Sequence, residues 1–429
     1  MEWKHYKMDE LIEEISMGPF GSDVKKEFYV DNGVPILNGS NLQGFKLQED
    51  SFGYLTKEKA DSLKKCNAHR GDVIVTHRGT LGQIVYVPVN SKYDRYVISQ
   101  SQFRFRCKAD LVDVQYLVYY FHTREGQYKI LANASQVGVP ALARATSTFR
   151  LIDIKLPSLK DQRRIASILS SLDRKIELNN KINADLEEMA QAIFKNWFVD
   201  FEPFKDGKFV DSELGMIPEG WKVGSYSEMI ESLISGDWGK DNPQGNYTHE
   251  VACVRGCDFQ DINNGVRGKT PQRYILEKNY QAKHLKDKDI LVEISGGTAT
   301  VSTGRTSLVT EELLKKYQYD IVCTNFCKVL RPLSQFSSYV YYSWKYKYDN
   351  DIMFGYENGT SGIKNFAIKD FIEKEPVLIP KEQDIVEFQK IIDNLQKQKQ
   401  IKGTENTTLS TLRDTLLPRL MSGELEVPE

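Results

Sequence analysis

The chain carries one pattern twice, and the interval between the two copies limits every fold open to it. Val34 to Asn41 (VPILNGSN) corresponds to Val251 to Asp258 (VACVRGCD), and Gly71 to Gly79 (GDVIVTHRG) to Lys288 to Gly296 (KDILVEISG). Both pairs keep one register, since 251 − 34 and 289 − 72 each give 217. Trp3-Lys4 returns as Trp221-Lys222 at an offset of 218, and Asp161-Gln162 as Glu382-Gln383 at 221. Solenoid repeats recur every 20 to 50 residues or so. A period of half a chain means two copies of a whole domain, which suggests a target with two parts.

The 429 residues suffice for two or three domains with cores of their own. No apolar run nears the roughly 20 residues that span a bilayer, and the start MEWKHYKMDELIEE is too acidic and polar for a signal peptide. The expected compartment is therefore the cytoplasm, where six cysteines, too few for a disulfide framework, stay as thiols. A net charge of −2, with neither half basic, argues against a generally adhesive nucleic-acid binder. If DNA is the ligand, the basic groups must gather on one face.

Each copy opens with short apolar runs broken by turn residues, the pattern of mixed strands and loops. Val73-Ile74-Val75 and Ile84 to Val87 flank the polar loop Thr76 to Gln83; Ile290-Leu291-Val292 and Ser307-Leu308-Val309 flank its counterpart, Glu293 to Arg305. Val114 to Phe121 and Ser338 to Trp344 read as helices packed inward, and core packing likewise accounts for the aromatics of Tyr339 to Tyr348.

Each copy then turns helical. Between Lys160 and Phe198, Ile165, Leu169, Leu172, Ile176, Leu186, Ile193 and Trp197 follow helical spacing with no Pro or Gly between them. That is one helix, at 1.5 Å per residue roughly 58 Å long. The second copy has Ile385, Phe388, Ile392 and Leu395, then Leu409, Leu412, Leu416 and Leu420, and Gly403 is expected to weaken its middle, so that this helix breaks or frays there. Apolar stripes this narrow are best satisfied by packing the two helices on each other, antiparallel. Asn179 and Asn183 fall on or near that seam, either fixing its register or solvated. The chain divides into a first mixed domain (1–158), a long helix (159–200), a connector (201–220), a second mixed domain (221–380) and a final helix with its tail (381–429).

Trp197 to Phe204 (WFVDFEPF), Ile217 to Val223 (IPEGWKV) and Leu416 to Leu425 (LLPRLMSGEL) carry a resemblance. So do Gly18 to Ser22 (GPFGS) and the prolines Pro157 and Pro380, each followed shortly by Asp-Gln or Glu-Gln. Together, on a duplicated frame, they resemble the specificity (S, HsdS) subunit of type I restriction-modification systems across the whole chain. The resemblance implies an α+β fold. Two similar mixed target recognition domains stand in tandem pseudo-twofold repeat, joined by two long helices forming an antiparallel coiled coil that acts as a spacer. It implies a DNA-binding, non-catalytic subunit that docks two methyltransferase subunits through its helical regions, around Leu172 to Phe198 and Leu409 to Leu425. Those partners would use S-adenosylmethionine for DNA methylation, and restriction and motor subunits would bring ATP and Mg. No cofactor is expected in this chain.

The residues independently speak against chemistry in this chain. Adenine methylation uses an aromatic in a [DN]PP[YF] motif, and the nearest string, Asp241-Asn242-Pro243-Gln244, lacks it. A phosphate-binding GxxxxGK[ST] loop fails at Asn263 before Gly268-Lys269-Thr270, and Gly304-Arg305-Thr306 lacks the lysine. Cys253, Cys257, Cys323 and Cys327 imitate zinc ligands, but in strands residues four apart stand roughly 13 Å from each other, too far for one ion. No metal is expected.

Base edges in the major groove are read by Arg, Lys, Asn, Gln, Ser and Thr. In the first domain the candidate DNA-binding residues are Asn38, Ser40, Asn41, Thr76, His77, Arg78, Thr80, Ser99, Gln100 and Gln102. In the second they are Arg255, Asp258, Ser295, Thr298, Thr300, Thr303 and Arg305, with Lys240, Arg267 and Lys364 as phosphate contacts. Asn38 aligns with Arg255 and Thr76 with Glu293, so the half-sites should differ and the target be asymmetric and bipartite. Two rivals stand beside this reading: the recognition half of a combined restriction enzyme, and a coiled-coil scaffold that binds no DNA.

Overall fold

The computed structural model describes residues 3–135, 138–298, 300–359 and 364–427. It divides into two compact units, Met1–Arg174 with Leu409–Glu429, and Lys175–Thr408. The chain has an α+β fold with sheet-rich domains in tandem. Among the described residues no helix is long and apolar enough to cross a membrane.

In the first unit a four-stranded antiparallel sheet runs in the order Ile12–Met17, Gln102–Cys107, Val73–Thr76, Ile84–Tyr86. Val73, Ile74 and Val75 are all fully buried because the sheet is covered on both faces. Val73 and Val75 join Phe103, Phe105 and the helix Val114–His122 in one core, while Ile74 joins Val85, Ile36 and Val97 in another. The alternation follows from the two-residue period of a strand. The second core lies against a five-stranded sheet that includes Val34–Ile36 and Arg95–Val97.

The second unit repeats the plan with Ile230–Ser235, Cys327–Pro332, Ile290–Glu293 and Thr306–Leu308. Ile290 and Val292 face the core that holds Tyr339, Val340 and Trp344 of the helix Ser337–Asp349, and Leu291 faces the opposite one. The repeat extends to a buried charge. Asp72 accepts a hydrogen bond from the His69 backbone N–H at 2.9 Å and pairs with Arg104 at 3.2 Å. Asp289, 217 residues on, accepts one from Lys286 N–H at 2.7 Å and pairs with Arg331, also at 2.7 Å. Burying a carboxylate without such partners is costly.

The long helices span Leu159–Phe198 and Glu382–Ser422, and in each unit they run antiparallel. Ile165 and Leu169 share a core with Leu417, Leu420 and Met421 in the first unit, where Asp173 pairs with Arg413 at 2.7 Å. In the second, Phe194 and Phe198 meet Phe388, and Lys175 pairs with Glu405 at 3.3 Å. Leu412 is exposed and does not join the seam, which passes through Arg413 and Leu417 instead. Asn179 and Asn183 are buried: Asn179 Nδ2 donates to Asn406 Oδ1 at 2.9 Å, and Asn183 Nδ2 to the Asn264 carbonyl at 2.9 Å.

The break expected at Gly403 is absent. The helix continues through it, and a Cβ there would stand 2.0 Å from the Gly265 carbonyl oxygen. This glycine permits a close backbone approach at some loss of helix propensity. The connector is packed too, with Phe204 and Phe201 centred 4.9 and 5.7 Å from the Trp221 ring.

Candidate nucleic-acid interface

The first sheet's register, Thr76 opposite Gln102 and Phe103 opposite Met17, brings two strand exits and two strand entries to one end. His77 N–H donates to the Ser101 carbonyl at 2.9 Å, and a His77 ring nitrogen lies 3.1 Å from the Gln100 carbonyl. The turn at Asn38 is tied to the same end: Gln102 Nε2 donates to the Asn38 carbonyl at 3.3 Å and Gln83 Nε2 to the Gly39 carbonyl at 2.9 Å. All ten candidates of the first domain therefore converge, although they come from three separated stretches of sequence.

They do not play one part. Asn38, Ser40, Arg78, Thr80 and Gln100 are exposed, and His77 and Ser99 half-buried. Asn41, Thr76 and Gln102, expected among the base readers, lie beneath the surface and brace the loops. Asn41 Oδ1 accepts from Asn38 N–H at 2.9 Å, the Thr76 hydroxyl donates to Gln83 Oε1 at 2.9 Å, and Gln102 Oε1 accepts from Ser99 N–H at 2.9 Å. Burial holds the His77 imidazole below its ordinary value.

In the second unit Glu293 N–H donates to the Arg305 carbonyl at 2.9 Å, as Thr76 N–H does to Gln83 at 3.0 Å. Arg305 is thus the counterpart of Gln83, and eleven residues (294–304) separate the second pair where six (77–82) separate the first. The neutral Thr76–Gln83 bond is replaced by an ion pair, Arg305 Nη2 to Glu293 Oε1 at 2.7 Å, which raises the Arg305 pKa. The turn headed by Asn38 recurs as Arg255, whose N–H donates to Asp258 at 2.9 Å and whose guanidinium reaches both Asp258 oxygens at 3.0 and 2.9 Å. Arg255 also donates to the Lys269 carbonyl at 2.9 Å, bringing the exposed Arg267 near.

Asp258 and Thr303 are buried supports; the Thr303 hydroxyl donates to Glu357 at 2.9 Å. Thr298 and Thr300 are exposed, and Ser295 Oγ donates to Asn365 Oδ1 at 2.5 Å. Lys364 is paired with Glu357 at 2.7 Å, while Lys240 lies beside the strand Gln272–Leu276, its N–H donating to the Tyr274 carbonyl at 2.9 Å.

Two features escaped the sequence reading. A small sheet lies beside each loop, Ala134–Ser135 paired with Ala141–Leu142 in the first unit and, in the second, Lys364–Phe366 paired with both Glu357–Asn358 and Ser295–Gly296; Leu142 and Phe366 N–H donate to the His77 and Ile294 carbonyls at 2.8 and 2.9 Å. Gln83 was missed as the loop's brace, although it precedes the returning strand just as Arg305 does.

Cys253, Cys323 and Cys327 are buried and Cys257 is exposed. Burial pushes the Cys253 and Cys327 thiols up to about 12, whereas zinc takes thiolates. Among the described residues no group of three His, Cys, Asp or Glu is placed to hold a metal.

Residues 1–188 match the family model of the type I restriction modification DNA specificity domain. The chain is 28% identical to the type I restriction enzyme MjaIX specificity subunit of Methanocaldococcus jannaschii, over 100% of this chain and 94% of that protein. It is 23% identical to the HindI specificity subunit of Haemophilus influenzae, over 99% of this chain and 100% of the other. In fold it is similar to the S subunit of a type I restriction-modification system from M. genitalium, with a TM-score of 0.54 at 18% identity, covering 98% of this chain and 96% of that one.

Proposed function

Since the chain belongs to the specificity subunits of type I restriction-modification systems, we propose that its two recognition domains each read one half of an asymmetric, bipartite DNA target. The chain is the DNA sequence-recognition subunit; the division of labour between its halves is the reading advanced here. One observation carries it: the two loop ends share a frame and differ in the groups they present. Where the first presents Asn38 and a loop closed by Thr76 and Gln83, the second presents Arg255 and a loop closed by Glu293 and Arg305. Different donors and acceptors prefer different bases.

The exposed side chains Arg78, Thr80, Gln100, Thr298 and Thr300 are the candidate readers, the buried ones hold them in place, and Arg267 and Lys240 contact phosphates. The antiparallel helices set the spacer between half-sites and dock two methyltransferase subunits. S-adenosylmethionine belongs to those partners, and ATP and Mg to the restriction subunits, while this chain supplies recognition without catalysis.

Mapping methylated adenines in DNA from cells that carry the chain with its methyltransferase partner tests the reading. Two dissimilar half-sequences separated by a fixed gap are expected, and a single contiguous or palindromic sequence would overturn it. Binding by the purified complex should also weaken steeply with salt, because phosphate contacts release counterions.

A further inference from the structure

Phe20 is 82% exposed and Phe326 66%, and each stands at the loop end of its own four-stranded sheet. Single exposed apolar side chains are ordinary; the placement of these is not. Among the phenylalanines and tryptophans of the described residues, the exposed ones are Phe20, Phe326 and Trp238, and all three stand at these ends. The Trp238 ring, at the position corresponding to Phe20, is covered by the Arg273 guanidinium 4.1 Å away. Phe20 and Phe326 point outward beside hydrogen-bonding neighbours.

Both rings are presented by clamped turns. A Cβ on Gly18 would meet the Ser99 carbonyl at 2.0 Å, Pro19 restricts the backbone, and Phe20 N–H donates to Asp23 at 3.1 Å while its carbonyl accepts from Asp23 N–H at 2.9 Å. Phe326 N–H donates to the Thr324 hydroxyl at 3.3 Å and its carbonyl accepts from Ile294 N–H at 2.9 Å, next to the loop of the second unit. A ring held this way gives up little backbone freedom on binding.

We propose that Phe20 and Phe326 are wedges that enter the base stack of duplex DNA, one in each half-site, beside the bases read by the polar side chains. Apolar side chains inserted at a base step partly unstack it and kink the duplex. Pyrimidine–purine steps yield most easily, so each wedge adds a preference at a step that no polar group touches. The proposal rests on the DNA-reading function proposed above.

The test uses the purified complex of this chain with its methyltransferase partner and duplexes of the mapped target, with 2-aminopurine scanned through each half. The wild-type complex should raise fluorescence at one step per half-site, distinct from the adenine that is methylated. Phe20→Ala should abolish the rise in one half-site and weaken binding about tenfold, Phe326→Ala should do so in the other, and Phe→Trp at either position should restore both. Wild-type binding without such a rise, or alanine variants that bind like wild type, would overturn the proposal. Loss of the methyltransferase from the Phe20→Ala or Phe326→Ala complex would also overturn it, by assigning the ring to a protein contact. A wild-type complex that fails to bind duplex DNA would overturn the DNA-reading function itself, before any variant is made.

Discussion

Arg305 grips Glu293 through two hydrogen bonds, Nε to Oε2 at 2.8 Å and Nη2 to Oε1 at 2.7 Å, where the first copy joins Thr76 to Gln83 by one. A guanidinium has five N–H donors, and the two-point contact fixes its plane while leaving others to face outward. Glu293→Gln keeps the shape and removes the charge. It should relax recognition in one half-site, by about 1 to 3 kcal/mol of base discrimination if Arg305 reads a base. Methylation mapping would show a loosened position in that half and an unchanged sequence in the other.

Arg78 is exposed on the first loop, its backbone bridged to Ala141. Arg78→Ala should relax or abolish recognition of the half-site read by the first domain, leaving the other intact. Equal damage to both halves in the same mapping experiment would contradict the modular reading.

Gly403→Ala would ordinarily stabilise a helix, by about 1 kcal/mol. Here the added methyl meets the Gly265 carbonyl at 2.0 Å, and the backbone must move. The expected sign is reversed, a destabilisation on the order of 2 kcal/mol, and thermal unfolding decides it. A variant as stable as wild type would show that Gly265 does not approach the helix.

Glu187 is held by Lys399, whose side chain is buried, at 2.5 Å and by Lys345 at 3.8 Å. Burial opposes ionisation of Glu187, yet the two lysines prevail and its pKa lies below the ordinary carboxylate range. A carboxyl lowered on folding stabilises above its unfolded pKa, and the contribution is lost as pH falls through the folded value. Glu187→Gln should therefore cost on the order of 3 kcal/mol at neutral pH, and the stabilities of variant and wild type should converge in acid. Denaturant melts across pH would check both.

Removing one heptad from each long helix shortens the pair by about 10 Å, close to three base pairs of DNA. The gap between half-sites should shrink while their sequences stay the same. An unchanged gap in the methylation map would refute the spacer role.

Much of this architecture can be read before any coordinates. The offset of 217 locates Asp72 and Asp289, and with them the strands Val73–Thr76 and Ile290–Glu293, because a buried strand flanked by a carboxylate and a polar loop leaves a local signature. The first helix was expected from Lys160 to Phe198 and spans Leu159–Phe198, since apolar spacing over so many turns has no other solution. The pairings beside the loops were not legible: two-residue strands such as Ala134–Ser135 and Ala141–Leu142 have no period to detect.

The division of the candidates into exposed and buried side chains was not legible either. Asn41 and Ser40 are adjacent and both polar, yet one is buried around two carbonyls, donating to Gln48 O at 3.2 Å and Asp50 O at 2.7 Å, and the other is exposed. Composition cannot separate them, because side-chain direction in a short turn depends on what folds back over it.

The duplication, the long helices and the polar character of the paired loops are written along the chain, since each is a matter of periodicity or residue type. Tertiary structure decided what periodicity cannot carry: that Gly403 is a place of close approach and not a break, that Thr76 and Gln83 answer to Glu293 and Arg305, and that Phe20 and Phe326 face outward. Those facts depend on contacts between residues far apart in the chain, where the approach of a second backbone sets the meaning of the first.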